Sequence, residues 1–216
     1  ERVAGGPYSS PADLSRRAGL GAVQLEALAT AGAFAGWGLD RRRALWVAGA
    51  AAGERADRLP GTTPGPPAPL LPGMDDLDIL VADRWATGIS PDTHPVAFAR
   101  ALLDRIGAVP VARLARAEPG RRITVGGVVT HRQRPATARG ITFLNLEDET
   151  GMLNVICSPG LWVRHRSVAR TASALVVRGV LERTTGVTNL VADRLTPLIV
   201  PRSTPGRKNP LFRPIR

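Results

Sequence analysis

The strongest constraint on the fold of this chain is a change of periodicity at residue 121. Before it, apolar residues recur every three or four positions, as on one side of a helix. After it, short runs rich in Val, Ile, Leu and Thr follow one another, as is typical of strands. Five such runs lie at 122–129, 141–148, 152–158, 173–183 and 188–199, and a helix-like segment at 161–171 separates the third from the fourth.

Three strands, one helix and two further strands form the chain order of an OB-fold barrel. We therefore predict an α+β multidomain chain: an N-terminal all-α region of helix-hairpin-helix type, a helical connector, and a five-stranded OB-fold β-barrel. The predicted boundaries are 1–56 for the helical region, 57–73 for a Pro/Gly-rich linker, 74–117 for the connector, 118–200 for the barrel and 201–216 for a basic disordered tail.

Local signals set the expected helices of residues 1–117. Pro11 and Asp40 are suited to helix starts, and Gly32 and Gly107 to helix ends. Further helices are expected from about 22, over 74–87 and from Pro95. Helical spacing predicts that the inward-facing side chains include Ala18, Val23, Leu25, Leu28, Ala29, Leu45, Trp46, Leu80, Trp85, Leu103 and Ile106.

The net charge of +11 lies entirely in the C-terminal part of the chain. Residues 1–120 hold 13 Arg and 13 acidic residues, whereas 121–216 hold 15 Arg and one Lys against five acidic residues. A surplus of this kind favours a polyanionic partner such as nucleic acid. GC-rich codons account for the preference for Arg over Lys, but they do not account for the difference between the two parts.

The segment 131–140, between the first two predicted strands, is the main candidate for nucleic-acid binding. OB barrels hold oligonucleotides with their β1–β2 and β4–β5 loops and with strands 2 and 3. A guanidinium group can form two parallel hydrogen bonds to a phosphate, or it can stack on a base. The candidate residues are His131, Arg132, Arg134 and Arg139, helped by Arg164 and Arg166 of the helix-like segment and by the basic tail. The alternative is a solvated loop in an arginine-rich chain.

Two further features predict how such an interface would bind. The β4–β5 loop, 184–187, is short and uncharged, which predicts a shallow cleft that holds its ligand from one side. Aromatic residues are 4% of the chain. Phe143 is expected in the core and Trp162 under the barrel, so binding should be mainly electrostatic, salt-sensitive and weakly sequence-specific.

A second candidate lies at 16–34, which has the outline of a helix-hairpin-helix. In that motif a glycine-containing hairpin presents backbone N–H groups to a DNA phosphate. Gly19 and Gly21 would form the hairpin, and Arg16 and Arg17 would supply charge. The alternative is an ordinary tight turn between two helices.

The acidic cluster Glu147–Asp148–Glu149 predicts a structural turn. Three adjacent carboxylates point in different directions, and no other acid or His lies near them in sequence, so no metal site is predicted. Asp148 should bond turn amides and Gly151 should adopt a positive φ. No nucleophile–base grouping or phosphate-binding glycine motif occurs, so the chain shows no catalytic residues and no cofactor site.

Composition and sequence pattern also indicate the cellular compartment in which the chain is expected. The single cysteine, Cys157, excludes an internal disulfide and suits a reducing cytoplasm. There is no run of about 18 apolar residues that would span a membrane, and the N-terminus lacks the pattern of a signal peptide. We therefore expect a cytoplasmic chain without a membrane partner.

Several longer motifs resemble bacterial C-family replicative polymerases, the DNA polymerase III alpha type. THRQRPATARGITFLNLEDETGMLNVICSPGLW (130–162) resembles their OB domain. GGVVTHRQRP, FLNLEDETG and LVADRL are similar to the error-prone, DnaE-like ImuC branch. Upstream, PADLSRRAGL, LEALATAGAF, LDRRRALW and WATGISPDTHPV are similar to the same branch. The resemblance covers nearly the whole chain apart from the linker and the tail.

The resemblance implies a C-terminal piece of a larger DNA-directed DNA polymerase, used in damage-induced, mutagenic translesion synthesis. The catalytic carboxylates and their Mg²⁺ would lie in a part that precedes Glu1. The piece would hold DNA, with the OB domain on the single-stranded template. The resemblance also implies an inactive polymerase-like adapter and a RecA-like accessory protein as partners, and indirect contact with the sliding clamp.

A different class of function is a protein-docking module. In that hypothesis the near-neutral helical part, or an exposed edge strand of the barrel, would hold an accessory protein of the polymerase. The two hypotheses are compatible, because one surface could contact DNA while the helices contact protein.

Overall fold

The computed structural model describes residues 1–54, 57–59, 68–184 and 186–199. It divides into two compact units, Glu1–Pro91 and Asp92–Arg216. The predicted tail at 201–216 and residues 60–67 of the predicted linker lie outside the described residues. Among the residues that are described, no helix is both long enough and apolar enough to cross a bilayer.

The first unit is helical. Its α-helices are α1 (Arg2–Gly5), α2 (Pro11–Ala18), α3 (Ala22–Thr30), α4 (Arg41–Ala51) and α5 (Asp76–Ala86), with a 3₁₀ turn at Ala35–Trp37. Their starts follow local rules. The Asp40 carboxylate accepts the N–H groups of Arg42 and Arg43, both at 3.0 Å, as predicted for an N-cap. The Ser10 hydroxyl accepts the Asp13 N–H at 3.1 Å in front of Pro11.

The core of the first unit is built from small side chains on α4. Ala44, Ala48 and Ala51 face Leu25 and Ala29 of α3, together with Phe34. Because this alanine stripe faces inward, Trp46 lies elsewhere on α4 and is 44% exposed, so its predicted inward position is wrong. Trp85 on α5, and Val23 and Ala18, are also exposed, contrary to the prediction.

Arg41 ties α5 to the rest of the first unit. Its Nη1 lies 2.7 Å from Oδ1 of Asp83, which is 5% exposed, and donates to the carbonyls of Thr30 and Ile79. A buried carboxylate needs such a partner, so this pair fixes where α5 packs. The predicted connector is therefore divided in the structure: α5 belongs to the first unit, whereas residues from Asp92 belong to the second.

The second unit is a five-stranded closed barrel. Its strands are β1 (Arg122–Gln133), β2 (Thr142–Asp148), β3 (Gly151–Cys157), β4 (Ala174–Thr184) and β5 (Val187–Pro197). They pair in the order β1-β2-β3-β5-β4, with β3 and β5 parallel and the other pairs antiparallel. Helices α7 (Pro159–Arg164) and α8 (Arg166–Thr171) connect β3 to β4. This is the predicted OB-fold arrangement.

The barrel core holds the inward side chains of all five strands, including Val125, Leu144, Val155, Val177 and Leu190. Leu161 and Ala169 close one side from α7 and α8, and Trp162 packs against this core as expected. A 3₁₀ turn at Pro95–Ala99 and α6 (Arg100–Arg105) pack on the outside of β1 and β4, with Val96, Ala99 and Leu103 buried. Ile106, predicted to be inward, is 50% exposed after the end of α6.

Candidate nucleic-acid interface

The outer face of β2 and β3 is set by strand alternation. Along β2, Thr142, Leu144, Leu146 and Asp148 are buried, so the residues between them lie on the outer face. Phe143 is one of these outer residues and is half-buried. The prediction that Phe143 belongs to the core is therefore wrong, and sequence analysis missed an aromatic side chain on the surface that OB barrels use for binding.

Cross-strand pairing arranges this face in two rows. Phe143 is opposite Ile156 on β3 and Gln133 on β1, and Ile156 is opposite Val191 on β5. The neighbouring row is polar and contains His131, Asn145, Asn154 and Asn189, in which the Asn154 amide donates to Oδ1 of Asn189 at 2.7 Å. An aromatic ring beside amide groups offers stacking and hydrogen bonding to a base.

The β1–β2 loop is shorter than predicted. Pairing with β2 continues β1 to Gln133, so His131 and Arg132 are strand residues and the loop occupies 134–141. Arg139 adopts a left-handed conformation, with φ +48° and ψ +38°, and Gly140 follows with φ +83°. These two residues turn the chain back into β2. A left-handed arginine is uncommon in proteins and costs free energy.

Arg134 and Arg139 lie together at this turn. A Cβ built on Gly140 would lie 3.4 Å from Nη2 of Arg134, so the Arg134 guanidinium lies over the residue that follows Arg139. Both arginines are exposed, and within the described residues neither forms an ion pair or a hydrogen bond. Their guanidinium groups are therefore available to an anion.

Arg132 has a different role. Its Nε donates to the Ala169 carbonyl at 2.9 Å, and its Nη2 donates to the Ala172 carbonyl. Partial burial lowers the pKa of this guanidinium below its usual value. These carbonyls belong to the last turn of α8 and the residue after the helix, so Arg132 holds α8 against the barrel.

The remaining basic candidates flank the loop through α7 and α8. Pro159 lies against Gly140, at 3.4 Å from the same built Cβ, so the start of α7 borders the β1–β2 loop. Arg164 ends α7 and Arg166 begins α8, and both are exposed. Arg183, before the β4–β5 turn, donates to the carbonyls of Leu114, Ala115 and Ala117. Nη2 of Arg183 is therefore engaged in contacts within the protein.

The acidic turn between β2 and β3 is structural. Oδ1 of Asp148 accepts the Thr150 N–H and hydroxyl and the Gly151 N–H, at 2.8, 2.6 and 3.1 Å. Its Oδ2 accepts from Val111 N–H and Arg100, and Glu149 binds the same arginine at 2.6 Å. Gly151 has φ +155°, in the positive region that was predicted. In the part of the chain that the structure describes, no group of three or more His, Cys, Asp or Glu could hold a metal ion.

In the first unit, the hairpin between α2 and α3 has the predicted glycines. Gly19 adopts a left-handed conformation, φ +66°, at the end of α2, and Gly21 precedes α3 in an extended conformation. The buried Ser15 hydroxyl donates to the Leu20 carbonyl at 2.9 Å, which fixes the hairpin. The residue that precedes α3 is a glycine, so it offers no side chain to the first N–H groups of that helix.

The two arginines of the hairpin region are engaged in internal contacts. Arg17 binds Asp13 and Glu1, donates to the Pro7 and Gly6 carbonyls, and lies 4.6 Å from the centre of the Tyr8 ring. Hydrogen bonds and charges from Asp13 and Glu1 outweigh desolvation and raise the pKa of this guanidinium. Arg16 lies 3.4 Å from Asp13. Arg17 therefore organises the N-terminal segment, a role that its sequence position did not indicate.

Comparison with protein families agrees with both parts of the fold. The profile of OB-fold nucleic acid binding domains of the tRNA anticodon type matches residues 123–198. The profile of the helix-hairpin-helix motif matches residues 1–44. The chain thus consists of a helical helix-hairpin-helix region followed by an OB-fold barrel.

Curated proteins that are similar to this chain include error-prone DNA polymerases. The error-prone DNA polymerase of Mycolicibacterium paratuberculosis is 56% identical over 195 residues, and that of Nocardia farcinica is 55% identical over 202 residues. Each match covers 90% of this chain but 18% of the relative. The chain therefore spans less than one fifth of the length of these relatives, and the similarity supports its interpretation as a segment of a C-family polymerase.

Likeness to solved structures is low. Asparaginyl-tRNA synthetase from Pyrococcus horikoshii, in complex with asparaginyl-adenylate, is 17% identical with a TM-score of 0.37, over 49% of this chain and 25% of that chain. At that level the likeness carries no argument about function.

Proposed function

We propose that this chain is the nucleic-acid-binding portion of an error-prone DNA polymerase of the ImuC branch, and that its barrel holds single-stranded template DNA. The observation that carries the proposal is the pair of free arginines, Arg134 and Arg139, next to the outer face that contains Phe143. Guanidinium groups would bind two phosphates, and the ring would stack on a base. Because the β4–β5 loop at 184–187 carries no charged side chain, the DNA strand would be held only from the side of the β1–β2 loop.

The helix-hairpin-helix region would add a contact to the DNA backbone. Gly19 and Gly21 expose the N-terminus of α3, where N–H groups can bind a phosphate without reading the base. Since Arg16 and Arg17 both bind Asp13 within the protein, this contact would depend mainly on backbone N–H groups. It would be weaker than binding by the barrel.

For the whole protein, we propose DNA-directed DNA polymerase activity in damage-induced, mutagenic translesion synthesis in the cytoplasm. Mg²⁺ and the catalytic carboxylates would belong to a part of the polymerase outside this chain. An adapter resembling an inactive polymerase, a RecA-like accessory protein and, indirectly, the sliding clamp would be its partners. Nothing in the comparisons supports protein docking as the alternative function of this chain.

The test is the binding of the 216-residue protein to a fluorescently labelled 12-mer of thymidine, measured by anisotropy between about 50 and 200 mM salt, a range over which phosphate contacts change affinity strongly. We expect Arg134→Ala/Arg139→Ala to weaken binding roughly tenfold. Loss of two phosphate contacts should also make the slope of log K against log salt less steep by about 1.4, because each contact contributes about 0.7 for single strands.

Two controls make the test specific. Arg194→Ala removes one exposed arginine from β5 and should change affinity little. Phe143→Ala should weaken binding by about 1–3 kcal/mol if the ring stacks on a base, whereas Phe143→Tyr should retain binding. Equal affinity and an equal salt slope for the Arg134/Arg139 double variant and the parent would contradict the proposal.

A further inference from the structure

A second concentration of free arginines lies at the other end of β1. There a cavity of about 500 Å³ opens between the first residues of β1 and the segment that precedes it. Its lining includes Arg113, Arg116, Arg121 and Arg122, with Val109 and Ile123 as apolar wall. The cavity is lined by the first residues of β1, at 122–124, whereas the β1–β2 loop follows the last residue of that strand, Gln133, so the cavity is not part of the interface described above.

The local backbone brings these arginines together. Arg113 and Arg116 lie in the 3₁₀ turn Val111–Arg116, in which residues three apart project from the same side. Arg121 and Arg122 lead into β1, and the Thr124 carbonyl accepts the Val109 N–H at 2.8 Å, which holds the two segments next to each other. Arg183 holds the 3₁₀ turn in place, because it binds the carbonyls at the end of the turn.

The lining of the cavity is positive and largely uncompensated. Arg122 binds Asp193 at 2.8 Å, but no acidic side chain lies among the described lining residues. Within the described part of the chain, the guanidinium groups of Arg113, Arg116 and Arg121 form no hydrogen bond or ion pair. Charges of one sign around a concave site focus the field there and raise the local concentration of anions.

We propose that this cavity is a second phosphate-binding site that takes a phosphate-bearing nucleotide. Guanidinium groups match phosphate oxygens in paired hydrogen bonds. The volume lies within the usual range for small-molecule sites, about 300–1,000 Å³, and Val109 and Ile123 offer an apolar surface to a sugar or base. The phosphate belongs either to a nucleotide within a DNA strand or to a free nucleoside triphosphate, and these two sources share the same chemistry.

The test follows the backbone amides of Ala117 and Thr124, which line the cavity, in ¹H–¹⁵N spectra of the 216-residue protein. Three probes are titrated separately: sodium pyrophosphate, deoxythymidine triphosphate and a 12-mer of thymidine. We expect saturable shifts at both amides. Arg113→Ala/Arg116→Ala/Arg121→Ala should weaken the response at least tenfold, because it removes the guanidinium groups that would bind the phosphate. The barrel should stay folded, since within the described residues these three side chains form no hydrogen bond or ion pair that the substitution would break.

The outcomes separate this site from the β1–β2 loop. Shifts with pyrophosphate and the triphosphate assign the site to free phosphates, and shifts with the 12-mer alone assign it to a DNA strand. Arg134→Ala/Arg139→Ala should leave the pyrophosphate shifts unchanged, so failure of the proposed template contact would not alter this result. Absence of saturable shifts with all three probes, or shifts that persist undiminished in the triple variant, would overturn the inference.

Discussion

Arginines of the barrel differ in what their guanidinium groups already contact. Arg132 and Arg183 bind backbone carbonyls, and Arg100 binds the carboxylates of Asp148 and Glu149. Arg134 and Arg139 have no such contacts within the described residues. Because Arg supplies 28 of the 29 Lys and Arg residues, the sequence identified the basic region but could not separate arginines that stabilise the fold from those free to bind a ligand.

Arg132→Ala should destabilise the protein, although the sequence position of Arg132 predicts a DNA contact. Its loss leaves the Ala169 and Ala172 carbonyls without their guanidinium donor, at a cost of roughly 1–3 kcal/mol in the free energy of unfolding. Urea denaturation followed by circular dichroism measures this change. Arg134→Ala is the matched control and should leave stability unchanged. Equal stability of the two variants would contradict the structural role of Arg132.

Cys157 gives a prediction about pH. Burial raises the pKa of its thiol to about 12 from an ordinary 9.0, because the thiolate is poorly solvated in the core. The unfolded thiol ionises at lower pH than the folded thiol, so this group favours unfolding progressively between about pH 9 and 12 and has no effect below. Cys157→Ala should remove this contribution, as seen by comparing urea midpoints at about pH 7.5 and 10, on either side of the ordinary thiol pKa.

The same thiol should be protected from reagents. At about pH 8 the native protein should react very slowly with a thiol-specific disulfide reagent, since the reactive species is the thiolate and the side chain is fully buried. Addition of guanidinium chloride should make one thiol per chain reactive within the mixing time. The absorbance of the chromophore that the reagent releases measures the number of thiols that have reacted. Rapid reaction of the native protein would show that the core opens around β3.

At the scale of elements, sequence predicted the strands well and their side-chain directions less well. Runs of Val, Ile and Leu mark the five strands within one or two residues at most ends, because burial in a barrel demands such residues. The continuation of β1 to Gln133 depends on pairing with β2, and a register shift between Val129 and His131 interrupts its alternation. The side of β2 on which Phe143 lies also depends on pairing, because the run around it is apolar on both faces and does not distinguish inward from outward positions.

A register shift also occurs in β4, and from it we predict how a substitution at Gly179 changes the stability of the barrel. The β4–β5 pairing shifts between Arg178 and Gly179, and a Cβ at Gly179 would collide with the Val191 carbonyl. Backbone cannot move aside as a flexible side chain can, so Gly179→Ala should destabilise the barrel by several kcal/mol, roughly the range of severe core substitutions. Thermal unfolding measures the loss.

Gly160 is the matched control for this substitution. It lies in α7, and a Cβ there would meet no atom within 4 Å. Because Ala favours helix over Gly by up to about 1 kcal/mol, Gly160→Ala should leave the midpoint unchanged or raise it slightly. If the Gly179→Ala variant were as stable as the Gly160→Ala variant, β4 and β5 could not pair in the register in which Gly179 is opposite Ala192.

At the scale of the whole molecule, the charge is divided among three places. The barrel has two groups of free arginines at opposite ends of β1, and residues 201–216 carry five further basic residues and no acid. Removing the last 16 residues would lower the net charge from +11 to +6. Since attraction to a polyanion depends on summed charge, this segment should contribute to DNA binding whatever conformation it has.

Deletion of 201–216 should therefore weaken binding to a 12-mer of thymidine without changing stability. Leu198, the last buried residue in the described part of the chain, is retained, so the thermal midpoint should stay the same. The salt slope should become less steep by up to about 3.5, which corresponds to five phosphate contacts at about 0.7 each. A full-length variant with Gln at positions 202, 207, 208, 213 and 216 distinguishes charge from chain length. It should behave like the deletion, because the prediction rests on charge alone, whereas parental affinity and slope in this variant would exclude an electrostatic contribution from the segment.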